Sequence, residues 1–422
     1  MSRNKSFSLR GRLVAAFLLT MALPNAWAQI PYKNLHTFTK DGAGGAELTG
    51  GLVLDAAGNL YGTTAVGGTR DFGTVFKLAQ GSDGRWTETV LHSFVGPGDG
   101  SFPGSSLVFD QAGNLYGTTA EGGPYNRGTV FELSPGSNGG WTESVIYSFC
   151  PIANCSDGAD PISSLVFDQS GNLYGTTRQG GSNLYGTVFE LKPKPIGAWT
   201  ETVLYDFCPV KGCADGQQPY AGVIFDQAGN LYGTTTYGGG TQCGGTGCGV
   251  VFKLTPNAGG SWTESVLYSF CSLSGCDDGI FPLDSLVFDQ AGNLYGTAEL
   301  GGTDNDGLVF ELSPSSVGAW TGKVLHTFKG TDGGAPYANL IFDTAGNLYG
   351  TTFEGGSGGG GVVFALKPKS SGAWEYIILH NFFDNPGAIL FAPVVMDSAG
   401  NLYGTSYGDS NNTFGSVYEI SP

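Results

Sequence analysis

The sequence predicts an all-β protein: a seven-bladed β-propeller of four-stranded antiparallel blades, closed by an N-terminal strand that completes the C-terminal blade. Three observations predict it. The string Asp-x-x-Gly-Asn-Leu-Tyr-Gly occurs seven times, starting at Asp55, Asp110, Asp168, Asp226, Asp289, Asp343 and Asp397, at steps of 54 to 63 residues. Such steps are too long for a solenoid coil of one or two strands and suit a four-stranded blade. Composition agrees: 72 of 422 residues are Gly, aromatics reach 13% and charged residues 13%, a balance that fits neither a helical bundle nor a disordered chain. The chain ends are also complementary. The last repeat stops after Tyr418 and Ile420 without a Trp-led strand, while Leu35, His36, Thr37, Phe38 match the strand ending Leu91, His92, Ser93, Phe94.

In chain order, Arg3, Lys5, Arg10 and Arg12 precede an apolar run from Leu13 to Leu23 and the tripeptide Ala26, Trp27, Ala28. Residues 1–28 read as a signal peptide cut before Gln29, because the apolar run is too short to cross a bilayer. Residues 29–422 then form a single propeller, expected as a monomer without a membrane span, secreted to the periplasm or the extracellular space. Loss of the leader takes the formal charge from −17 to −21, which excludes nucleic acid as a default partner.

Each repeat holds four β-rich runs, in the second Ser106 to Asp110 (A), Leu115 to Thr119 (B), Gly128 to Leu133 (C) and Trp141 to Phe149 (D). Asp110 can bond the amides of the A to B turn, and Gly113 can take positive φ there. These are hairpin connections, so each blade is a meander. One N-terminal strand joined to three C-terminal strands closes the ring without an open edge.

The run Gly113 to Thr119, the pair Gly122 and Gly123, Gly128 to Phe131 and Trp141 to Glu143 resemble the GloVer tandem repeat of secreted bacterial proteins across essentially the whole mature chain. The resemblance implies export and, in many relatives, a C-terminal surface anchor; it implies no particular activity. Weaker similarity runs to kelch and quinoprotein blades.

Spacing locates the variable face. From turn Asp to strand B Tyr is always 6 residues, from strand C aromatic to Trp always 10, and from Trp to the closing Phe always 8. From strand B Tyr to strand C aromatic is 15 except in the fourth blade, where it is 20, and from closing Phe to the next turn Asp it runs from 15 to 19. Length variation therefore falls in the B to C and D to A loops, which share one face, and recognition is expected there. All eight cysteines fall in those loops as Cys-x4-Cys pairs: Cys150 with Cys155, Cys208 with Cys213, Cys243 with Cys248, and Cys271 with Cys276. In an exported chain these read as disulfides, against a zinc reading that needs four thiolates from adjacent loops.

Candidate ligand-binding residues on that face are Phe72, Tyr125, Tyr185, Tyr237, Phe281, Asp304, Asp306, Tyr337, Glu354 and Tyr407, since rings give flat apolar area and polar neighbours fix orientation. Asp304, Asn305 and Asp306 form an oxygen-rich loop that could hold Ca²⁺ without the full twelve-residue pattern; no other cofactor is expected. Asp277, Asp278, Asp332, Glu121 and Glu299 are further acids near this face. His36, His92, His326 and His380 share one register on strand D with Tyr147, Tyr205 and Tyr268, and packing between blades is expected for them. The repeat tryptophans, led by Trp86 and Trp141, are expected to pack between blades, and the turn aspartates to cap turns. The sequence shows no nucleophile elbow, HExxH or phosphate loop, so catalytic residues are unassigned. The reading that follows is a secreted binding propeller engaging a glycan or an extracellular protein. The alternatives are a propeller enzyme (lyase, glycosidase, lactonase or quinoprotein-like dehydrogenase) and a structural matrix component.

Overall fold

The repeat string folds as a hairpin turn held by one carboxylate. Asp55 Oδ1 accepts the backbone N–H groups of Ala57 and Asn59 at 2.9 Å each, and Oδ2 accepts from Asn59 Nδ2 at 2.7 Å and the Tyr61 hydroxyl at 3.0 Å. Gly58 completes the turn at φ 80°, a conformation that a Cβ disfavours. The same four bonds recur at Asp397. Burial works against the charge on Asp55, and the bonds from Asn59 and Tyr61 outweigh it, holding the carboxyl below its ordinary value. The aspartates are turn caps, as their spacing suggests.

The computed structural model describes residues 30–39, 44–151, 154–195, 197–316, 318–383, 389–408 and 414–422. The segment assigned to a signal peptide lies outside them. Strand β1 (Tyr32–Thr37) comes first, then blade 1 with β2 (Val53–Leu54), β3 (Leu60–Thr64), β4 (Thr74–Gln80) and β5 (Trp86–Ser93). Blade 2 holds β6 (Val108–Phe109), β7 (Leu115–Thr119), β8 (Thr129–Pro135) and β9 (Trp141–Ser148). Blades 3 to 6 repeat this through β10 to β25, and β26 (Val395–Met396), β27 (Leu402–Ser406) and β28 (Ser416–Ile420) follow. Seven antiparallel sheets of four strands result, the last in the order β1-β28-β27-β26. Between strands C and D each blade carries a register shift, at Val75/Phe76 in blade 1, and β1 reproduces it between Asn34 and His36. The N-terminal strand therefore takes the D position of blade 7 down to its bulge.

Strand A is shorter than the sequence suggests, two residues in each blade. The segment before it bonds sideways instead. The hydroxyls of Thr63, Thr118 and Thr176 donate to the carbonyls of Ser105, Ser163 and Ala221, each in the next blade, at 2.8 to 3.2 Å. Thr405 closes this ring on Gly50 at 3.4 Å.

The core lies between blades: Tyr61, Val75 and Phe94 of blade 1 form one cluster with Leu107, Leu115 and Phe131 of blade 2. Trp141 meets Tyr61 edge-on at 6.2 Å, and Trp199 meets Tyr116 at 6.1 Å, so the tryptophans join neighbouring blades. The Gly of each Leu-Tyr-Gly lies under the strand C aromatic. A Cβ on Gly117 would stand 2.6 Å from Phe131 Cζ and 2.8 Å from Leu107 Cδ2. Gly117→Ala is expected to cost about 1–3 kcal/mol by overpacking, read from the midpoint of chemical denaturation; an unchanged midpoint would contradict this packing. Among the described residues no helix is long and apolar enough to cross a membrane.

Candidate functional site

The D to A connection divides into a variable outer part and a constant axial part. Asp99, Asp157, Asp215, Asp278 and Asp332 each stand eleven residues before the turn Asp, so the length differences precede them. Asp157 Oδ2 accepts the Tyr147 hydroxyl at 2.8 Å and the Cys150 N–H at 2.9 Å; Asp215 does the same for Tyr205 and Cys208. At the histidine blades His92 Nε2 meets Asp99 Oδ2 at 2.9 Å and His326 meets Asp332 at 3.2 Å. Asp278, 4% exposed, ties Tyr268 at 2.8 Å. Two acids that the sequence suggests for the open face, Asp278 and Asp332, thus anchor loops to strand D.

The four disulfides form at the expected pairs, three of them in the outer part of a D to A loop and Cys243–Cys248 in the long B to C loop. The sulfurs of Cys243, Cys248 and Cys271 lie within 4.8 Å of one another, so the bridge in the B to C loop of blade 4 abuts the one that follows that blade's strand D. Each closes a short ring and restricts the unfolded chain by about 2 kcal/mol.

Past the anchor, the chain turns toward the axis through a strained residue. Glu47, Phe102, Asp160, Gln218, Phe281 and Ala335 occupy one register, eight residues before the turn Asp, all at φ between 47° and 61°. In five of these copies Pro follows, and a residue before Pro ordinarily stays extended. Backbone bonds hold the conformation: Phe102 N–H donates to Phe72 O at 3.2 Å, and its carbonyl accepts Ala120 N–H at 3.1 Å. Such strain persists where the surroundings over-determine it and clusters at binding sites. The six side chains differ in chemistry although the backbone does not.

This turn frames an axial cavity of about 480 Å³ on the B to C and D to A face. Every blade contributes to the wall: Thr49, Gly104, Ile162, Tyr220, Leu283, Tyr337 and Phe391 share one register, with Glu47, Phe102 and Tyr407 at the rim. Phe391 stands 6.1 Å from Tyr337 and 5.1 Å from Tyr407, and Phe353 backs both Tyr337 and Phe391. The Tyr337 hydroxyl donates to Glu299 at 2.6 Å, while Tyr407 is pushed up to about 12 by burial and its hydrogen bond to Glu47.

One register deeper the residues are small in six blades: Gly50, Ser105, Ser163, Ala221, Ala338 and Ala392. The fifth blade has Asp284, which also lines the cavity. Ser105 and Ser163 bond the backbone of their own strand B. Asp284 Oδ1 instead accepts Ser285 N–H at 2.7 Å, and its carboxyl takes Asn339 N–H from blade 6. At that junction the Thr297 hydroxyl has no partner among the described residues. Burial lifts the Asp284 carboxyl to about 7 against those two bonds. Its signal in the sequence is one carboxylate in a register of small residues.

Of the ten residues that the sequence nominates, the cavity takes Tyr337 and Tyr407. Tyr125, 48% exposed, lines an adjoining polar pocket of about 330 Å³ with Glu121, Arg127, Asp160 and Arg178. Arg178 pairs with Asp160 and reaches the Tyr220 hydroxyl at 2.7 Å, linking this pocket to the axial wall. Tyr237 and Phe281 meet edge-on at 5.1 Å, Phe72 packs among the core residues between blades 1 and 2, and Tyr185 stays 39% exposed on the loop. Glu354 has an exposed side chain, and its carbonyl accepts Gly334 N–H. Asp304 bonds Thr303 at 3.0 Å, Asn305 caps Gly301 at 3.2 Å, and the Asp306 carbonyl accepts Ala335 N–H. Among the described residues, the groups of three ligand atoms within 4.8 Å are Cys243, Cys248, Cys271 and His92, Asp99, Glu143; Asp304 and Asp306 belong to neither.

Fold and repeat together define a seven-bladed β-propeller with an open axial cavity. The chain belongs to the Gloeobacter/Verrucomicrobia repeat family, whose profile matches residues 29–246 and 241–422. No curated protein matches it. Among solved structures it is similar to an ulvan lyase of polysaccharide lyase family PL25, determined bound to -[GlcA(1-4)Rha3S]-. The TM-score is 0.59 at 9% identity, over 92% of this chain and 96% of that one. It is also similar to the extracellular domain of BT4673 from B. thetaiotaomicron, described as a candidate one-component system, with TM-score 0.56 at 12% identity. That match spans 92% of this chain and 39% of that one. At such identities the likeness shows the fold alone.

Proposed function

We propose that this chain is an exported binding propeller that takes part of an extracellular glycan into its axial cavity. The observation that carries the reading is the cavity itself: about 480 Å³, walled by Tyr220, Tyr337, Phe391 and Tyr407, and framed by a backbone that holds strained φ while its side chains vary. Aromatic faces match the apolar face of a pyranose, and Asn339, Ser106 and Asp284 supply hydrogen-bonding groups for its hydroxyls. The basic and apolar run at residues 1–28, read as a signal peptide, and the four disulfides support the export part of this reading.

The test is retention of residues 29–422 on a panel of immobilised polysaccharides, with the supernatant assayed for released products. Retention is expected on at least one glycan, weakened about tenfold by Phe391→Ala, the loss of roughly 1.4 kcal/mol that one stacking face supplies. Retention on none would defeat the reading. Released product would replace it with an enzyme acting on that glycan.

A further inference from the structure

The axial cavity is acidic as well as aromatic. Its lining carries two carboxyl groups, Glu47 and Asp284, and no Lys, Arg or His among the described residues. They differ in what surrounds them. Glu47 stands at the rim and is held by Tyr407. Asp284 accepts two backbone N–H groups, meets no cationic side chain, and occupies a register that Gly, Ser or Ala fills in every other blade. The propeller does not need a carboxyl there, and an enclosed carboxyl without a counter-ion is costly to keep. The rings of Tyr337, Phe391 and Tyr407 stand on the same wall, and ring faces attract cations. A divalent metal fits poorly: Ca²⁺ takes six to eight oxygens, and carbonyls at this level already accept hydroxyls from Thr63, Thr118, Thr176 and Thr234.

We propose that the cavity binds a protonated amine, with the Asp284 carboxylate as its counter-ion and the rings of Tyr337, Phe391 and Tyr407 as its wall. This deepens the glycan reading and rests on it: the ligand is then a sugar with a free amino group, a de-N-acetylated hexosamine. The formal charge of −21 on residues 29–422, from −17 for the full sequence less the four basic residues before Gln29, draws such cations toward the molecule and repels acidic sugars. Because burial sets Asp284 near 7, a bound cation favours its ionised form, and affinity rises as the carboxyl loses its proton. The other titratable groups at the cavity are Glu47 with Tyr407, Tyr337 with Glu299, and Tyr220 with Arg178 behind it.

Calorimetry of residues 29–422 with tetra-glucosamine, its fully N-acetylated counterpart and its N-trimethylated form tests this. The free-amine tetramer is expected to bind at least about tenfold tighter than the acetylated one. Asp284→Ser, which introduces the residue that blades 2 and 3 carry at this register, removes that preference, and Asp284→Asn serves if the serine variant does not fold. The trimethylated tetramer, whose charge is fixed, is expected to gain about tenfold in affinity between pH 6 and pH 8. Equal affinity for the free and acetylated tetramers, or a preference that survives loss of the carboxyl, overturns the amine assignment. Tighter binding of the acetylated tetramer, lost in Phe391→Ala, overturns it while leaving the glycan reading in place. Binding of neither tetramer, with glycan retention intact in the panel, overturns the amine assignment alone, and with retention absent both readings fall.

Discussion

Removal of residues 29–38 is expected to open the ring and abolish a single cooperative unfolding transition. Among the described residues β1 is the only strand bonded to the outer side of β28, through Tyr32 with Ile420 down to Thr37 with Ser416. It also touches both neighbouring blades. Tyr32 stacks on His380 of blade 6 at 4.2 Å, His36 meets Glu88 of blade 1 at 3.1 Å, and Phe38 packs on Phe76 at 5.1 Å. Without it β28 becomes a bare edge that pairs with other chains, so the shortened protein should self-associate in size-exclusion chromatography. Phe38, 1% exposed, gives a quantitative version in the full chain: Phe38→Ala is expected to cost about 3–5 kcal/mol, read from the denaturation midpoint. A shortened chain that stays monomeric and melts like the full one would show that the propeller closes without a strand from the N-terminus.

What the sequence disclosed, and what it hid, follows from how many atoms each feature needs. The turn demands an Asp for four bonds, a Gly for positive φ, an Asn and a Tyr as donors, so the same residues recur and the repeat is plain. Closure was legible because β1 keeps the Leu-His-x-Phe ending of strand D. The loop anchor was hidden, since its partner alternates between His and Tyr and the segment before it changes length. Asp278 beside Asp277 therefore reads as an exposed acid pair. Positive φ at Phe102 or Gln218 was illegible for a stronger reason: the Pro that follows argues for extended backbone, and only the bonds to neighbouring loops reverse it. Loop rings divided by what lay near them. Tyr237 and Phe281 found each other, while Tyr337 and Tyr407 flank Phe391 on the axis. No local pattern distinguishes the two outcomes.

The outer junctions give the second large expectation: the propeller should lose stability as pH rises from about 6.5 to 8.5. Two residues past the strand D Trp stand Glu143, Glu201 and Glu264 in blades 2 to 4. Each keeps a buried Oε1 with no hydrogen-bond partner among the described residues. Burial raises them first, and a loop anchor of the preceding blade adds to it: Asp157 lifts Glu201 to about 8, and Asp215 lifts Glu264 to about 7. Glu143 also reaches about 7 through burial, with His92 opposing and Asp99 reinforcing the rise. A carboxyl raised in the fold holds a proton that the unfolded chain releases above its ordinary value of 4.5. The stabilisation is complete below that pH and is lost as pH climbs through the folded values. His326 and His380 act oppositely, since burial lowers them, the first against the pull of Asp332; their contribution falls away below the ordinary imidazole value of 6.5 and is constant above it. Between pH 6.5 and 8.5 the acids therefore act without opposition from the histidines. Half-buried, each glutamate is worth about 1 kcal/mol after solvent screening, about 3 kcal/mol in all, lost progressively from pH 4.5 up to the folded values with the last part of it above 6.5. Melting temperatures should fall across this window, and the variant with Gln at 143, 201 and 264 should keep only the smaller pH dependence that the buried Asp284 contributes. A flat or rising profile in the unaltered chain would mean that these carboxyls are ionised in the fold, and that water or a cation reaches the junctions that the structure leaves closed.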